Sequence, residues 1–387
     1  MFKPITFALT VLAAPVAAQT CGGSWSAFQD GLVAEAASHG ISENTARGFL
    51  AGAQQDQAVI QADRAQGVFQ RDFIDFSRRL ISNNRIENAR LQAGRQDAIF
   101  DRIEAELGIP REVLLAFWAF ETDFGAVQGD FNTRNALVTL AHDCRRPELF
   151  RPQIFAAMEL FARGDMDPVT TTGAWAGEIG MVQMLPGDII ENGRDGDGDG
   201  QVSLKTSAPD ALLSGASVLS SLGWAANQPW LQEVTVPDQL DWALSGTETT
   251  LPASQWALMG VAARSGNLTD LPASLILPMG RNGPAFLAYP NFDVYFEWNQ
   301  SFVYVLTAAY FATRIGGAQV YDAGTPEAGL SGAQVQQLQQ KLEARGHDVG
   351  GADGIVGART RAAIQAEQAR LGMPADAWPT ATLLGAL

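Results

Sequence analysis

The stretch IPREVLLAFWAFETDFG, Ile109 to Gly125, sets Glu121 directly after a run that is apolar from Val113 to Phe120. Pro110 suits a first helical turn and Gly125 a stop, so the spacing predicts a helix between them. Leu114, Phe117, Trp118 and Glu121 recur at i, i+3, i+4 and i+7, which sets the carboxylate on the face of the largest apolar side chains. Two readings of Glu121 are open: a helix-end carboxylate that reaches solvent or pairs with an Arg, and a general acid kept protonated by an apolar wall and the negative end of its helix.

Working outward, a chain of 387 residues that is 47% hydrophobic and 18% charged can bury a large core and has room for two or three domains. Its net charge of −16, from 42 acidic against 26 basic residues, argues against a nucleic-acid or anionic-membrane partner. The N-terminus MFKPITFALTVLAAPVAAQT has Lys3, an apolar stretch and small residues at Val16 and Ala18, which predicts a leader over 1–18 and a periplasmic mature chain. Gln19 and Thr20 before Cys21 do not suit a lipid-anchor cleavage site, and no later apolar run reaches spanning length. A monomer is expected. In an oxidising compartment Cys21 and Cys144 are most simply one disulfide, with two unrelated thiols as the alternative.

From Trp25 to about Tyr321 the pattern is mostly helical, as in DAIFDRIEAELG and RPQIFAAMELFARG, and alternating strand-like runs are scarce. The composition shifts at YDAGTPEAGLSG, giving a division into 19–321, a linker over 322–329 and a tail over 330–387. In the tail Val335, Leu338 and Leu342 make one helix stripe, DGIVG makes a turn and Thr360 starts a second helix. With Leu338, Gly346, Asp353, Gly354, Gly357, Thr360 and Ile364 at matching positions, it resembles the three-helix peptidoglycan-binding domain of cell-wall hydrolases.

The context for Glu121 lies downstream. ETDFG, then GEIGMVQMLP, then DGDGDG, then YPNFDVYFEWNQSFVY resemble, in order and spacing, the B-type lytic murein transglycosylases of glycoside hydrolase family 103, over about Gln70 to Gly316. The resemblance implies a mainly α, lysozyme-like catalytic domain that cleaves peptidoglycan glycan strands without a cofactor for the chemistry. It places Glu121 at the catalytic acid/base, Gln183 at a sugar-contacting glutamine, and Trp298, Asn299, Ser301 and Tyr304 in the cleft. Three positions depart from the family pattern: Ala174 stands for a Ser, Val218 for an aromatic, and Trp298 for a Tyr.

A retaining glycosidase ordinarily needs a second carboxylate about 5 Å from the acid. Asp123, two residues on, lies about 200° around the helix and points elsewhere. If Glu121 works alone, the N-acetyl carbonyl of the muramoyl sugar must attack its own anomeric carbon, and a 1,6-anhydro product follows. Glu178 in GEIG is either a solvated turn carboxylate or the base of a hydrolytic muramidase, and a catalytically idle wall-binding protein is a further alternative.

In RDGDGDGQVSLK, Asp195, Asp197, Asp199 and the backbone of Gln201 match positions 1, 3, 5 and 7 of a calcium loop. Position 12 is Thr206 rather than Glu, and Asp210 is the candidate that closes a longer loop around a structural Ca²⁺. His39, His142 and His347 are too scattered for a zinc site. Trp224, Trp230 and Trp242 are either cleft floor or core.

Overall fold

A computed structural model describes residues 21–65 and 71–387, so the expected leader over 1–18 lies outside the described residues. The helix of the opening stretch runs Arg111–Thr122 with Pro110 as its N-cap, and every residue from Val113 to Ala119 is buried. A helix apolar on all sides belongs at the centre of a domain. It packs against the helix Phe302–Ile315, which is buried without interruption from Phe302 to Ala312. Phe117 lies against Tyr295 and Trp298 with ring centroids 4.9 and 4.5 Å away, and Phe120 stacks on Phe311. Full burial of one such side chain contributes about 1.5–3 kcal/mol.

A second core is formed by the helices Trp25–Ala36, Thr133–His142 and Pro147–Arg163 around Leu32, Leu137, Ile154 and Met158. Two partly buried hydrophobic residues, Met181 and Trp298, touch both cores and lie at the seam between them. Cys21 is bonded to Cys144, 123 positions on, so the N-terminal segment is tied to the end of helix Thr133–His142. The thiol alternative is set aside.

Strands are more numerous than the sequence suggested. β1 (Phe131–Asn132) pairs with β2 (Thr172–Gly173), and β3 (Leu231–Thr235), β4 (Leu251–Pro252), β5 (Ala262–Ala263), β6 (Pro272–Ile276) and β7 (Ala285–Ala288) form an antiparallel sheet in the order β4-β6-β7-β3-β5. Apart from Pro272, β6 and β7 are buried at every position, so they read as short apolar runs without alternation. Trp256, Leu275, Leu287 and Tyr289 make the core of this subdomain.

The tail folds as expected, with helices Gly332–Glu343, Ala358–Arg370 and Ala381–Ala386 around Leu338, Leu342, Val349, Ile364 and Leu383. It is seated on the larger N-terminal body. The Arg361 guanidinium donates to the carbonyls of Leu277 (3.3 Å) and Pro278 (2.5 Å) and lies 4.4 Å over the ring of Phe302. Gln365 donates to Ser245 O (2.8 Å), and Arg281 pairs with Asp376 at 3.3 Å. The connecting segment is fastened too, through Thr325 N–H to Asn282 O and Trp378 Nε1–H to Glu327 O.

Candidate active site

The Glu121 helix ends at Thr122, three residues before the expected Gly125 stop, and Asp123, Phe124 and Gly125 follow in the left-handed region with φ of 50°, 61° and 85°. Tertiary contact sets this end. The Thr122 hydroxyl donates to Met181 O at 2.6 Å and accepts from Gly125 N–H at 2.9 Å, fixing the helix to the Gly-rich lip that carries Gln183. Asp123 turns outward and accepts from Arg85 Nε at 3.0 Å, so it is no partner for Glu121.

Glu121 is half-buried. Its Oε1 accepts two hydrogen bonds, from Tyr304 OH at 2.5 Å and Trp298 Nε1 at 3.1 Å, both from more than 170 residues downstream. The turn between them explains the placement. Asn299 Oδ1 accepts from Ser301 N–H (2.9 Å), and Ser301 Oγ caps the helix Phe302–Ile315 by accepting from Tyr304 N–H (3.5 Å). Asn299 and Ser301 therefore use their side-chain oxygens to hold Trp298 and Tyr304 on either side of the turn. The indole N–H of Trp298 supplies a donor where the family pattern has a tyrosine.

Burial pushes the Glu121 carboxyl above the usual carboxylate range; the bonds from Tyr304 and Trp298 pull the other way, and burial wins. Burial foremost, and then the neighbouring Glu121, hold the Tyr304 phenol well above its ordinary range, so it stays a donor. Among the described residues no protein group donates to Glu121 Oε2, the oxygen left to carry a transferable proton.

In the lip, an antiparallel bridge between Ile179 and Met184 closes a tight loop whose Gln183 has φ +53°, a conformation that a non-glycine residue adopts at a cost and that clusters at functional sites. Gln183 Nε2 donates to Gly180 O at 2.7 Å. Gly180 is required where it stands, since a Cβ on it would fall 2.5 Å from that of Leu204. Glu178 is not a freely solvated turn residue: it is half-buried, and among the described residues its Oε2, shielded from solvent, has no hydrogen-bond partner. Burial first, then its own backbone in the opposite sense, then the charge on Glu121 shape its titration, with the net shift upward.

The acidic loop brings Asp195, Asp197 and Asp210 together, with one carboxylate oxygen from each within 4.8 Å of the others. Asp210 is fully buried, and its oxygens accept from Gly196 N–H (2.8 Å) and Ser203 N–H (2.7 Å). Asp199 stands outside this trio and accepts from Gln201 N–H at 2.8 Å. A short path leads from the loop to the acid: Ser203 is held by Asp210, Leu204 O accepts from Met181 N–H (2.9 Å), and Met181 O accepts from Thr122. Thr122, Gly180 and the Leu204 segment were not singled out from sequence, because nothing but their contacts marks them. Trp224, Trp230 and Trp242 are core: the first two donate to Gly108 O and Ala309 O, and the third packs under the sheet.

This fold and site have known counterparts. Residues 24–313 match the family described as Transglycosylase SLT domain, and 331–387 match a peptidoglycan binding domain family. Membrane-bound lytic murein transglycosylase B of Escherichia coli (strain K12) is 25% identical over 251 residues, 64% of this chain and 68% of that one. Crystal structures of SltB3 from Pseudomonas aeruginosa, in complex with NAG-anhNAM-pentapeptide and with NAG-NAM-pentapeptide, superpose with TM-score 0.86 at 35% identity over 94% of this chain and 99% and 100% of those. The Escherichia coli lytic transglycosylase Slt35, solved in complex with calcium, shares the fold at 21% identity and TM-score 0.65, covering 79% of this chain and 98% of that one. The chain belongs to the transglycosylase SLT family, as a B-type lytic transglycosylase with a C-terminal peptidoglycan-binding domain.

Proposed function

We propose that this lytic transglycosylase cleaves the MurNAc-β-1,4-GlcNAc bond of peptidoglycan with Glu121 as both acid and base, leaving 1,6-anhydroMurNAc ends. The observation that supports it is the division of labour within one carboxyl: Oε1 is held by two donors, and among the described residues Oε2 has no protein partner. In the first step the Oε2 proton goes to the glycosidic oxygen, the C1–O bond to the leaving sugar breaks, and the acetamido carbonyl oxygen bonds to C1. The Tyr304 and Trp298 donors stabilise the carboxylate that remains. That carboxylate then takes the proton of the C6 hydroxyl, O6 bonds to C1, and the acetamido oxygen departs. No water is consumed. Gln183 on the lip, and the turn of Trp298, Asn299, Ser301 and Tyr304, form the sugar-binding surround. Loss of turnover on purified murein in Glu121→Gln tests the assignment; an active variant refutes it.

A second reading, hydrolysis, is favoured by one observation: Glu178 is a half-buried carboxyl on the same lip as Gln183. Reducing ends among the products would support it.

Asp195, Asp197 and Asp210 fit Ca²⁺, since all three offer hard oxygens and their mutual repulsion calls for a cation. Asp199 and the backbone of Gln201 complete the proposed loop. The ion would be structural, holding the acidic loop and through it the lip. The mature enzyme acts as a periplasmic monomer after removal of 1–18, with domains over 19–321 and 330–387, and among the described residues no helix is long and apolar enough to cross a membrane.

A further inference from the structure

The module helix Ala358–Arg370 reaches the start of the helix that carries Tyr304. Its Arg361 sets the guanidinium 4.4 Å over the ring of Phe302, and Phe302 is the first residue of the Tyr304 helix, directly after the Ser301 cap. We propose that Arg361 is a positioning residue for the reaction: by holding Phe302 it keeps Tyr304 and Trp298 on the Glu121 carboxyl, so the peptidoglycan-binding module is a working part of the active site as well as an anchor. The inference rests on the transglycosylase reading above and adds to it a role for a residue outside the catalytic domain.

Connectivity is the first argument. Phe302 is buried, and its ring also meets Phe296, 6.3 Å away between centroids, in the helix Asn291–Trp298. One ring therefore joins the helices of both donors to Glu121 Oε1: Trp298 ends the first, 3.1 Å from the oxygen, and Tyr304 stands in the first turn of the second, at 2.5 Å. Such a pair is sensitive to small shifts, since a misplacement of about 1 Å can lower a rate on the order of 10²-fold. Chemistry is the second. Arg361 is a cation without an acid of its own: it donates to the carbonyls of Leu277 and Pro278, and its Nε, shielded from solvent, has no hydrogen-bond partner among the described residues. Asp376, whose charge supports it, is taken up by Arg281 at 3.3 Å. Burial pulls the guanidinium down to about 10, which leaves it charged near neutral pH. An apolar side chain would seat the module with no such desolvation penalty. What the guanidinium adds is direction: the two carbonyls orient its planar fork, and the fork holds the ring beneath it. Place is the third. The bonds of Gln365 to Ser245 O and of Arg281 to Asp376 fasten the module at loops beside β6, whereas Arg361 reaches the Tyr304 helix itself.

The test measures kcat and KM separately, in the full-length protein, on soluble glycan oligomers released from murein. Because the two donors support a charge that forms in the reaction, Arg361→Ala should lower kcat by about tenfold and leave KM within about twofold. Arg361→Lys keeps the charge without the planar fork and should fall between the two; it carries the same measurements if the Ala variant does not fold. The decisive arm is a double-mutant cycle. In Tyr304→Phe the hydrogen bond that Arg361 protects is already gone, so adding Arg361→Ala should lower kcat by less than about threefold more. Gln365→Ala loosens the seating away from Phe302 and should turn over like the wild type. A rise in KM at unchanged kcat, losses that multiply in the double variant, or an equal loss in Gln365→Ala would each show that Arg361 only seats the module, and would overturn the proposal. Failure of the transglycosylase reading looks different, since the wild type itself would then release no anhydro ends.

Discussion

The end of the Glu121 helix and the Gly-rich lip each hold a half-buried glutamate whose pKa burial pushes upward, and they differ in what surrounds the carboxyl. Glu121 has Tyr304 and Trp298 on Oε1 and, among the described residues, no protein partner on Oε2. Glu178 has an Oε2 shielded from solvent and, among the described residues, without a hydrogen-bond partner. Burial alone therefore does not make an acid/base. A group that gives up a proton and later takes one back needs its charged form supported; at Glu121 two side-chain donors, Tyr304 and Trp298, do this, and at Glu178 backbone N–H groups do.

The sharpest way to break this contrast is Glu121→Gln. It keeps shape and hydrogen bonding, so turnover should fall by at least about 10²–10⁴-fold with the fold intact, as measured on purified murein and by thermal melting. Tyr304→Phe should come next. Losing a hydrogen bond to a charged group costs about 1.5–3 kcal/mol, so kcat should drop by about 10–150-fold. Because Tyr304 lowers the pKa of Glu121, its removal should also move the alkaline limb of the pH–rate profile to higher pH. An unmoved limb would mean that Tyr304 only packs.

The acidic loop offers a milder test. If Ca²⁺ joins Asp195, Asp197 and Asp210, chelation should lower Tm by several degrees, and Asp210→Asn should abolish the difference between calcium and chelator. Identical melting curves with and without calcium, in protein freed of metal, would contradict the site.

Glu178→Gln should have the smallest effect on turnover, under about tenfold, with anhydro ends still formed. Its signature is in stability. A glutamate with a folded pKa above its unfolded value, about 4.3, binds more protons in the native state, so stability falls as pH rises from the unfolded toward the folded pKa. The Gln variant should therefore melt higher than wild type near about pH 7 and alike near about pH 4. A gain of the same size at both pH values would show that the carboxyl's charge is not the cause.

What could be read from sequence follows from how local each feature is. The module was legible because its stripe, turn and second helix lie within 58 residues, 330–387, and its core of Leu338, Ile364 and Leu383 is made inside that span. The Glu121 helix was legible by periodicity, but its end at Thr122 was not, since the stop is set by Met181 from the lip. The sheet was missed because β6 and β7 are buried on both faces and the other strands are too short to show alternation. Trp298 read as a loss relative to the family pattern, and only the fold shows its indole N–H at Glu121. Arg361, one residue among many polar ones in its helix, gave no sign that it would join two domains.

The central claim is that one glutamate, working without water, closes the muramoyl sugar on itself. Mass spectrometry of the products released from purified murein tests it most directly. The account predicts muramoyl ends one water lighter than the hydrolysis product, formed by wild type and not by Glu121→Gln. Reducing ends of full mass from the wild type would contradict it and make Glu178 the group that activates water.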